Sequence, residues 1–443
     1  MNVEYVGFID LVLVPLYFLL IYGLMLVIKK RNPHNLLIQQ YLIKGMVFKL
    51  CCALFYSLLI YFYYGYGDTM SYYMEAMEIR NHISQGDENL GILFKDLEYV
   101  RSHHGINGGS EPGWLLEKIT MIISYFSFGR FLIISMVFAT LAYTGMIKML
   151  ETFTDLMPEW HERIAFIVLF FPSVAVYGSG ILKDTLCITA LGWLIYYCHK
   201  LFVKKIFKFS YLFIILFCII IIAVIKVYII AAFIVPLFLY IMLSMLKKIE
   251  NVFLRRIMQP LVFGLMVLVY IIFSQQIDAS LGGYASETIF KTVTEQQNAY
   301  KELQEESGSF FEMAPMEQSL AGFIKKIPEG ITATLFRPFI WESKKIIMLF
   351  SALESLFILL FTLYVLFKVG IVKFFSSIFS DPFIFLCIMF SLLFAALVGV
   401  STLNFGTLAR YRIPIIPFYL TGLLYILYNQ EMPILKKLHE NIF

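Results

Sequence analysis

The chain has 443 residues, of which 60% are hydrophobic and 15% charged, and its formal net charge is +4. This composition excludes a soluble globular protein, and the small positive charge gives no support for nucleic-acid binding. The six cysteines lie in apolar runs without a CxxC pair, which argues against a disulfide framework or a zinc site. We therefore predict an all-α polytopic membrane protein.

Apolar runs of about 17 to 22 residues predict eleven transmembrane helices in a single membrane domain over residues 1–443. Lys29, Lys30 and Arg31 follow the first run and acidic residues precede it, so we predict a first span rather than a cleavable signal. If the N-terminus is outside, most basic residues near span ends, Lys49 among them, are inside, and the C-terminus is inside as well. We place the crossings at residues 7–28, 47–66, 128–149, 164–182, 185–201, 209–225, 227–246, 257–275, 346–367, 382–402 and 413–429.

The first long outer segment, residues 67–127, begins with GDTMSYYMEAMEIR. Asp68 can cap a helix that carries Tyr72 and Glu75, and the pattern predicts an interfacial helix along the membrane surface. A role for Asp68 as a helix cap alone is the structural alternative to a role in a site.

The same segment closes with the motif EPGW, Glu111 to Trp114. A short apolar stretch follows, and it can re-enter the membrane or lie flat on it. Glu111 before Pro112 is either a turn residue or a site carboxylate.

The pair Lys183-Asp184 separates two apolar runs that are each long enough for one crossing. Ionisable groups near hydrocarbon are costly unless they are paired or hydrated, so this pair is a candidate site. Gly178 and Gly180 allow a tight turn or a broken helix end just before it. A plain loop with a capping Asp184 and a snorkelling Lys183 is the alternative.

Three further basic residues fall in short outer loops, where topology does not require them. Lys226 interrupts residues 209–246, which are otherwise uncharged, and we predict it at the outer tip of a helical hairpin. Arg410 and Arg412 flank Tyr411 directly before the last span. Arginine binds phosphate through a planar bidentate fork, which favours an anionic ligand for this pair.

The second long outer segment, residues 276–345, is much longer than most connections, and such segments are often lids or binding loops. Its end, RPFIWES, places Arg337, Trp341 and Glu342 at the membrane surface. Glu354 lies further on, in a span with no other charge. It must face the bundle interior or a wet cavity, either as the partner of an inner basic group or as a site residue.

In chain order, GDTMSYY, EPGW, a Gly-rich turn with a central basic residue, RPFIWE and ARYRIP resemble the EpsG branch of the Wzy-type polysaccharide polymerases. This resemblance implies a GT-C-like enzyme that joins undecaprenyl-diphosphate-linked oligosaccharide repeat units on the outer (periplasmic) face of the bacterial cytoplasmic membrane. The lipid diphosphate is the leaving group. The implied partners are the lipid-linked oligosaccharide and the bilayer, with a chain-length regulator as a candidate.

Glycosyl transfer from a lipid diphosphate needs cations for the leaving group and a carboxylate that takes a proton from the acceptor hydroxyl. We expect Asp68 or Glu111 as the base, beside Lys183 and Asp184 in the catalytic set. No metal is required if basic residues supply the charge, although Asp68 with Glu75 could hold Mg²⁺ through the diphosphate. The expected substrate-binding residues are Arg410, Arg412, Arg337, Lys226, Tyr72, Trp114, Trp341, Glu342 and Glu354.

Two other functions fit parts of the pattern. A GT-C glycosyltransferase with a polyprenyl-phosphate sugar donor would share the acidic residue in the first outer segment. A lipid-linked glycan transporter or flippase would place its site near the midplane, usually between repeats, whereas the ionisable groups here lie on one side and no repeat is evident.

Overall fold

A computed structural model describes residues 5–106, 109–247, 289–302, 309–314 and 316–431, together with the single positions 253, 257 and 264. These residues are almost entirely helical, and they include helices long and apolar enough to cross a membrane. The prediction of an all-α polytopic membrane protein is confirmed at this level. The candidate spans in the described residues are α1 (Asp10–Arg31), α2 (Leu36–Leu59, continued by a π-helical turn to Tyr64), α6 (Phe131–Leu156), α9 (Lys183–Cys198, continued to Val203), α10 (Phe209–Leu246), α13 (Ile346–Val369) and α15 (Pro382–Ser401).

Several predicted crossings differ from the helices that form. The stretch 164–182 is a broken helix, because Phe171 is extended between the π-helical turn that continues α7 (His161–Ala165) and α8 (Pro172–Tyr177). The last crossing is a bent pair, α16 (Phe405–Tyr411) and α17 (Ile416–Glu431), at 64° to each other. The stretch 257–275 lies outside the continuously described residues. The spans therefore number seven, or eight with the bent pair, over the described ranges.

Residues 209–246 form α10, whose backbone leaves helical geometry at Lys226, with φ −148° and ψ 80°. At 1.5 Å per residue its 38 residues would span about 57 Å if straight, well beyond one hydrocarbon thickness. The break falls at the position where the sequence predicts the end of one crossing and the start of the next.

The chain divides into two compact units, where the sequence predicts a single domain. The first unit comprises Met1–Tyr196 with Leu212–Lys226, and the second comprises Tyr197–Tyr211 with Val227–Phe443. In the first unit α6 packs closely on α9, because Gly145 and Gly192 let the two backbones approach to a distance that leaves no room for a Cβ.

The first outer segment forms α3 (Asp68–Gln85), α4 (Leu97–His104) and α5 (Glu111–Phe126) in the first unit. Their apolar faces build a small core of their own. α5 therefore packs against α3 through buried side chains such as Trp114 and Met121, and whether it re-enters the membrane or lies flat on it stays a prediction. The buried members of this core are Ala76, Ile79, Ile92, Leu97, Val100, Ile106, Trp114 and Met121.

In the second unit, the described parts of the second outer segment are α11 (Ile289–Glu302), residues 309–314 and residues 316–345, which include α12 (Leu320–Phe336). They pack on the end of α15. Gly330 and Gly399 bring the backbones of α12 and α15 together, and Gln297 donates a hydrogen bond to the Val400 carbonyl at 2.7 Å. After α13 in the sequence, the short α14 (Ile371–Ser380) connects α13 to α15.

Candidate functional site

The first unit gathers polar side chains from three separate segments. α3 starts after Gly67, whose φ of 124° favours glycine, and carries Tyr72 and Glu75 one turn apart on the same face. α5 starts after Ser110, with proline in its first turn, where the missing N–H costs nothing. Lys183 begins α9.

Lys183 connects these segments. Its Nζ donates a hydrogen bond to Ser110 Oγ at 3.1 Å and lies 5.5 Å from the centroid of the Tyr72 ring. Lys183 and Tyr72 are 111 positions apart in sequence, and the sequence predicts both as site residues. The structure brings them into contact.

Glu117 on α5 completes this group, and it is not among the site residues predicted from the sequence. Its side chain is fully buried. The pKa of Glu117 is raised to about 9, first by burial and then by the neighbouring Glu75, while Lys183 and Arg101 lower it. Glu117 is therefore a neutral acid at pH 7.

We call Glu75, Glu117, Lys183, Tyr72 and Ser110 the carboxyl pair site. The site thus holds two carboxyls, and the nearby Glu75 is one of the causes that raise the pKa of buried Glu117. Such a pair can accept one proton and hold another, beside a lysine that can compensate negative charge. A signal for Glu117 is present in the sequence, since it occupies the apolar face of α5, three residues after buried Trp114 and four before buried Met121.

The two carboxylates that the sequence favours as the base lie near this site but take other positions. Asp68 is exposed in the first turn of α3, one turn before Tyr72, and Gly67 rather than Asp68 is the N-cap residue. Glu111 is exposed at the start of α5 and accepts a hydrogen bond from the Leu97 backbone N–H at 3.3 Å.

Trp114 is not available for stacking on a sugar, contrary to the prediction. It is 1% exposed, belongs to the core of the first outer segment and donates its indole N–H to the Lys95 carbonyl at 2.9 Å. In the EPGW motif, tryptophan thus anchors α5 against α3.

Asp184 and Lys226 form a buried ion pair with Nζ and Oδ1 2.5 Å apart. The pair lies within the first unit, and the predicted roles of Asp184 in catalysis and of Lys226 in diphosphate binding stay predictions. The break of α10 at Lys226 delivers the ammonium to Asp184, and each charge offsets the cost of burying the other. A pair of this kind stabilises the start of α9, where Lys183 lies.

Lys49, predicted from the sequence at the inner membrane surface, is instead fully buried within α2. It donates hydrogen bonds to the carbonyls of Val174 and Ala175, each at 3.2 Å, at the end of α8, where a helix leaves carbonyls unsatisfied. Two turns further along α2, Tyr56 packs against Gly180 so closely that a Cβ there would overlap its ring. α2 therefore holds the turn that precedes Lys183.

In the second unit, Arg412 is 1% exposed and lies among residues of α13, so direct diphosphate binding by this side chain is not supported. Its Nη2 is 3.1 Å from Glu354 Oε1, and its Nη1 donates to Ser355 Oγ at 2.7 Å. Ser355 in turn donates to the Arg337 carbonyl at 3.0 Å. Glu354 therefore has a basic partner in Arg412, and its role as a site residue stays a prediction.

Arg337 and Glu342 form a bidentate ion pair, with Arg337 Nε 3.0 and 3.1 Å from the two carboxylate oxygens. The guanidinium also lies over the rings of Phe311 and Phe405, at 4.5 and 5.1 Å from their centroids. Trp341 lies beside this pair and is 81% exposed. Its ring therefore has an open face on which a sugar could stack.

Arg410 is partly exposed and lies over the ring of Tyr411, 5.4 Å from its centroid. Tyr300 of α11 lies close to both residues. Burial and then Tyr411 raise the pKa of Tyr300 to about 12, whereas Thr407, Arg410 and Thr402 lower it. Arg410 is thus the member of the ARYR pair that remains suited to an external ligand.

Metal ligands do not cluster in the described ranges: no group of three or more His, Cys, Asp or Glu side chains there is arranged to hold an ion. The expectation that Asp68 with Glu75 could hold Mg²⁺ through a diphosphate remains a prediction.

Comparisons of this chain with protein-family models, with curated proteins and with solved structures give no match. Functional inference therefore rests on the chain's own residues and their geometry.

Proposed function

We propose that this protein is a membrane-embedded glycosyltransferase that joins lipid-diphosphate-linked oligosaccharide units on the outer face of the bacterial cytoplasmic membrane. The observation that carries the proposal is the carboxyl pair site. It joins the GDTMSYY helix, the EPGW helix and Lys183, three of the segments on which the resemblance to Wzy-type polymerases rests. The three segments are far apart in the sequence but lie together in the structure, which supports a common role for them in the proposed reaction.

In the proposed reaction, the acceptor hydroxyl oxygen attacks the anomeric carbon of the donor sugar, and the bond from that carbon to the diphosphate oxygen breaks. The electron pair leaves with the diphosphate. Glu75, the less buried carboxyl, takes the hydroxyl proton, and neutral Glu117 stabilises the Glu75 carboxylate. Lys183 offsets the charge that develops on the leaving group.

The residues of the second unit take different parts in this proposal. Arg410, a partly exposed cation, and Trp341, an exposed flat ring, keep their predicted substrate-binding roles within the second unit. Arg412 and Glu354 support the backbone around Arg337 from inside the unit.

Incubation of the purified protein with lipid-linked repeat units tests the proposal. We expect a ladder of polymer and release of the lipid diphosphate. Lys183→Met should lower the rate about ten- to hundredfold, the cost of one charge-assisted contact. Lys118→Met, which removes a neighbouring lysine of α5 that contacts Trp114 and the Lys95 carbonyl, is the matched control and should stay near wild type.

Other products would point to other functions. Addition of one sugar from a polyprenyl-phosphate donor would indicate the alternative glycosyltransferase. Movement of intact lipid-linked units across a vesicle membrane, with no new glycosidic bond, would indicate a flippase and would contradict the proposal.

The proposed orientation places the first outer segment outside the cell. A cysteine at exposed Glu98 on α4 should react with an impermeant thiol reagent in intact cells, whereas a cysteine at exposed Lys208, before α10, should react only after permeabilisation. The wild-type chain reports the background from its own cysteines. Labelling of Lys208→Cys in intact cells would reverse the orientation.

A further inference from the structure

A cavity of about 660 Å³ lies in the first unit, at the connection between α1 and α2. This volume is within the range of ligand sites in proteins. α1 ends at Arg31 and α2 begins at Leu36, so the cavity sits where two candidate spans end. Its lining residues are Arg31, Asn32, Pro33, His34, Asn35, Leu36, Leu37, Gln40, Thr154, Pro158 and His161.

The lining combines one permanent cation with two histidines. Arg31 and His34 are exposed, and over the described part of the chain neither makes an ion pair or a side-chain hydrogen bond. His161 is held by Tyr41, whose hydroxyl is 2.9 Å from its Nδ1. The polar groups therefore favour an anion.

The acidic side chain that reaches the edge of this cavity is already neutralised. Glu151 lies 2.9 Å from Lys148 Nζ and accepts a hydrogen bond from Asn35 Nδ2 at 3.3 Å. Its charge is therefore offset locally, and the Arg31 guanidinium keeps its attraction for an anion.

Four lining residues are apolar, namely Pro33, Leu36, Leu37 and Pro158, and the other four, Asn32, Asn35, Gln40 and Thr154, are polar and uncharged. Leu36 is 73% exposed although it begins an apolar span. A small inorganic anion would use the cations and leave these surfaces in water. A lipid uses both, since its headgroup can bind the cations while its chains follow the helices into the hydrocarbon.

We propose that the α1–α2 cavity is a binding site for an anionic phospholipid, with the lipid phosphate on Arg31 and His34 and the chains along Leu36 and Leu37. Basic pockets at the membrane surface between transmembrane helices are suited to anionic headgroups. The site lies in the first unit at the opposite end of α2 from Tyr56, and it does not depend on the proposed glycosyl transfer.

Native mass spectrometry of the full chain, released from nanodiscs that contain equal amounts of phosphatidylglycerol and phosphatidylcholine with the same acyl chains, tests this site. The wild type should retain phosphatidylglycerol. The double variant Arg31→Gln, His34→Gln should retain it at least about tenfold less, since the charge-assisted contact of Arg31 and the imidazole contact of His34 are both lost.

Lys30→Gln is the matched control, because it removes the same charge from the adjacent position, which does not line the cavity. It should retain the lipid as the wild type does. If Lys30→Gln lost as much phosphatidylglycerol as the double variant, the effect would come from general surface charge, and the proposed site would be wrong. Unchanged retention by the double variant, or equal retention of the two lipids by the wild type, would also overturn it.

Competition distinguishes a lipid from a free phosphate. Neither inorganic phosphate nor glycerol phosphate at millimolar concentration should displace the retained lipid, because neither can occupy the apolar surfaces. Displacement by inorganic phosphate would show that the cavity is a simple anion site, and the lipid assignment would fail. Thermal unfolding in detergent without added lipid confirms that the exposed substitutions leave the fold intact.

Discussion

Glu75→Gln is expected to lower polymer formation by about 10²- to 10⁴-fold, the usual contribution of a general base. In the proposed reaction this carboxylate takes the acceptor proton, and glutamine cannot. The substitution keeps the shape of the side chain next to Glu117, so the folded state should persist. The rate is measured with purified protein and lipid-linked repeat units at saturating donor.

Glu78→Gln provides the matched control, since Glu78 is on the same helix three residues away and is exposed. It should keep near-wild-type rates. If Glu75→Gln retained more than about half of the wild-type rate, Glu75 could not be the base, and the carboxyl pair site would lose its catalytic assignment.

The same pair gives the reaction a pH signature. Glutamine at position 117 imitates the neutral acid, so Glu117→Gln should have a smaller effect near pH 7 than Glu75→Gln. The wild type should lose activity as Glu117 ionises near pH 9. In Glu117→Gln this alkaline limb should be absent.

The raised pKa of Glu117 also makes the free energy of unfolding depend on pH, in a direction that can be predicted. The pKa of Glu117 is raised in the folded state, so the unfolded chain binds fewer protons than the folded chain between the ordinary carboxyl pKa and about 9. The stability of the wild type relative to Glu117→Gln should therefore fall as pH rises through this window. A parallel pH profile for the two proteins would contradict the assignment of the raised pKa.

Arg412→Met is expected to destabilise the protein by about 3 to 5 kcal/mol, because it leaves the Glu354 carboxylate buried without its cation. Replacement of both members, Arg412→Met with Glu354→Leu, should restore most of this loss. Thermal unfolding in detergent micelles measures the difference, and the amount of protein in the membrane should follow it.

Arg410→Met is the control for this pair, since Arg410 is partly exposed two residues away. It should unfold near the wild-type temperature while it loses substrate affinity. If Arg412→Met were as stable as the wild type but inactive, the buried pair would be dispensable for folding. Arg412 would then return to the substrate-binding set.

The helices could be predicted from the sequence because an apolar run of sufficient length is a local property. The helices at residues 346–369 and 382–401 begin and end close to the predicted limits, whereas the one predicted at 128–149 runs from 131 to 156. The broken helix before Lys183 is only partly predictable. Two glycines indicate a turn at 178–180, and Pro172 disfavours helical geometry at Phe171, but a proline can either kink a helix or end it.

Which charged residues form ion pairs with each other could not be predicted in the same way. Asp184 and Lys226, or Glu354 and Arg412, are 42 and 58 positions apart, and no spacing rule relates them. Sequence alone presents each as an unusual charge near hydrocarbon, which is also what a substrate-binding residue looks like. Only the three-dimensional structure distinguishes a charged side chain that is paired within the protein from one that is open to a ligand.

Glu117 illustrates the opposite error. It lies in an amphipathic stretch between Leu116 and Lys118, where a carboxylate is ordinarily a solvated neighbour of the lysine. The helical period that carries Trp114 and Met121 inward also carries Glu117 inward, and that period is the available signal. The motifs themselves favour Glu111 instead, because it stands beside a proline at the start of the helix.

α2 contacts the site from two sides at once. Its Lys49 and Tyr56 hold the segment that leads to Lys183, and the Tyr56 hydroxyl is 3.3 Å from Thr69 Oγ1 at the start of α3. Loss of the Tyr56 side chain would remove its ring from Gly180 and its hydroxyl from Thr69 in a single step. One residue of α2 thus ties the turn before Lys183 to the start of the helix that carries Tyr72.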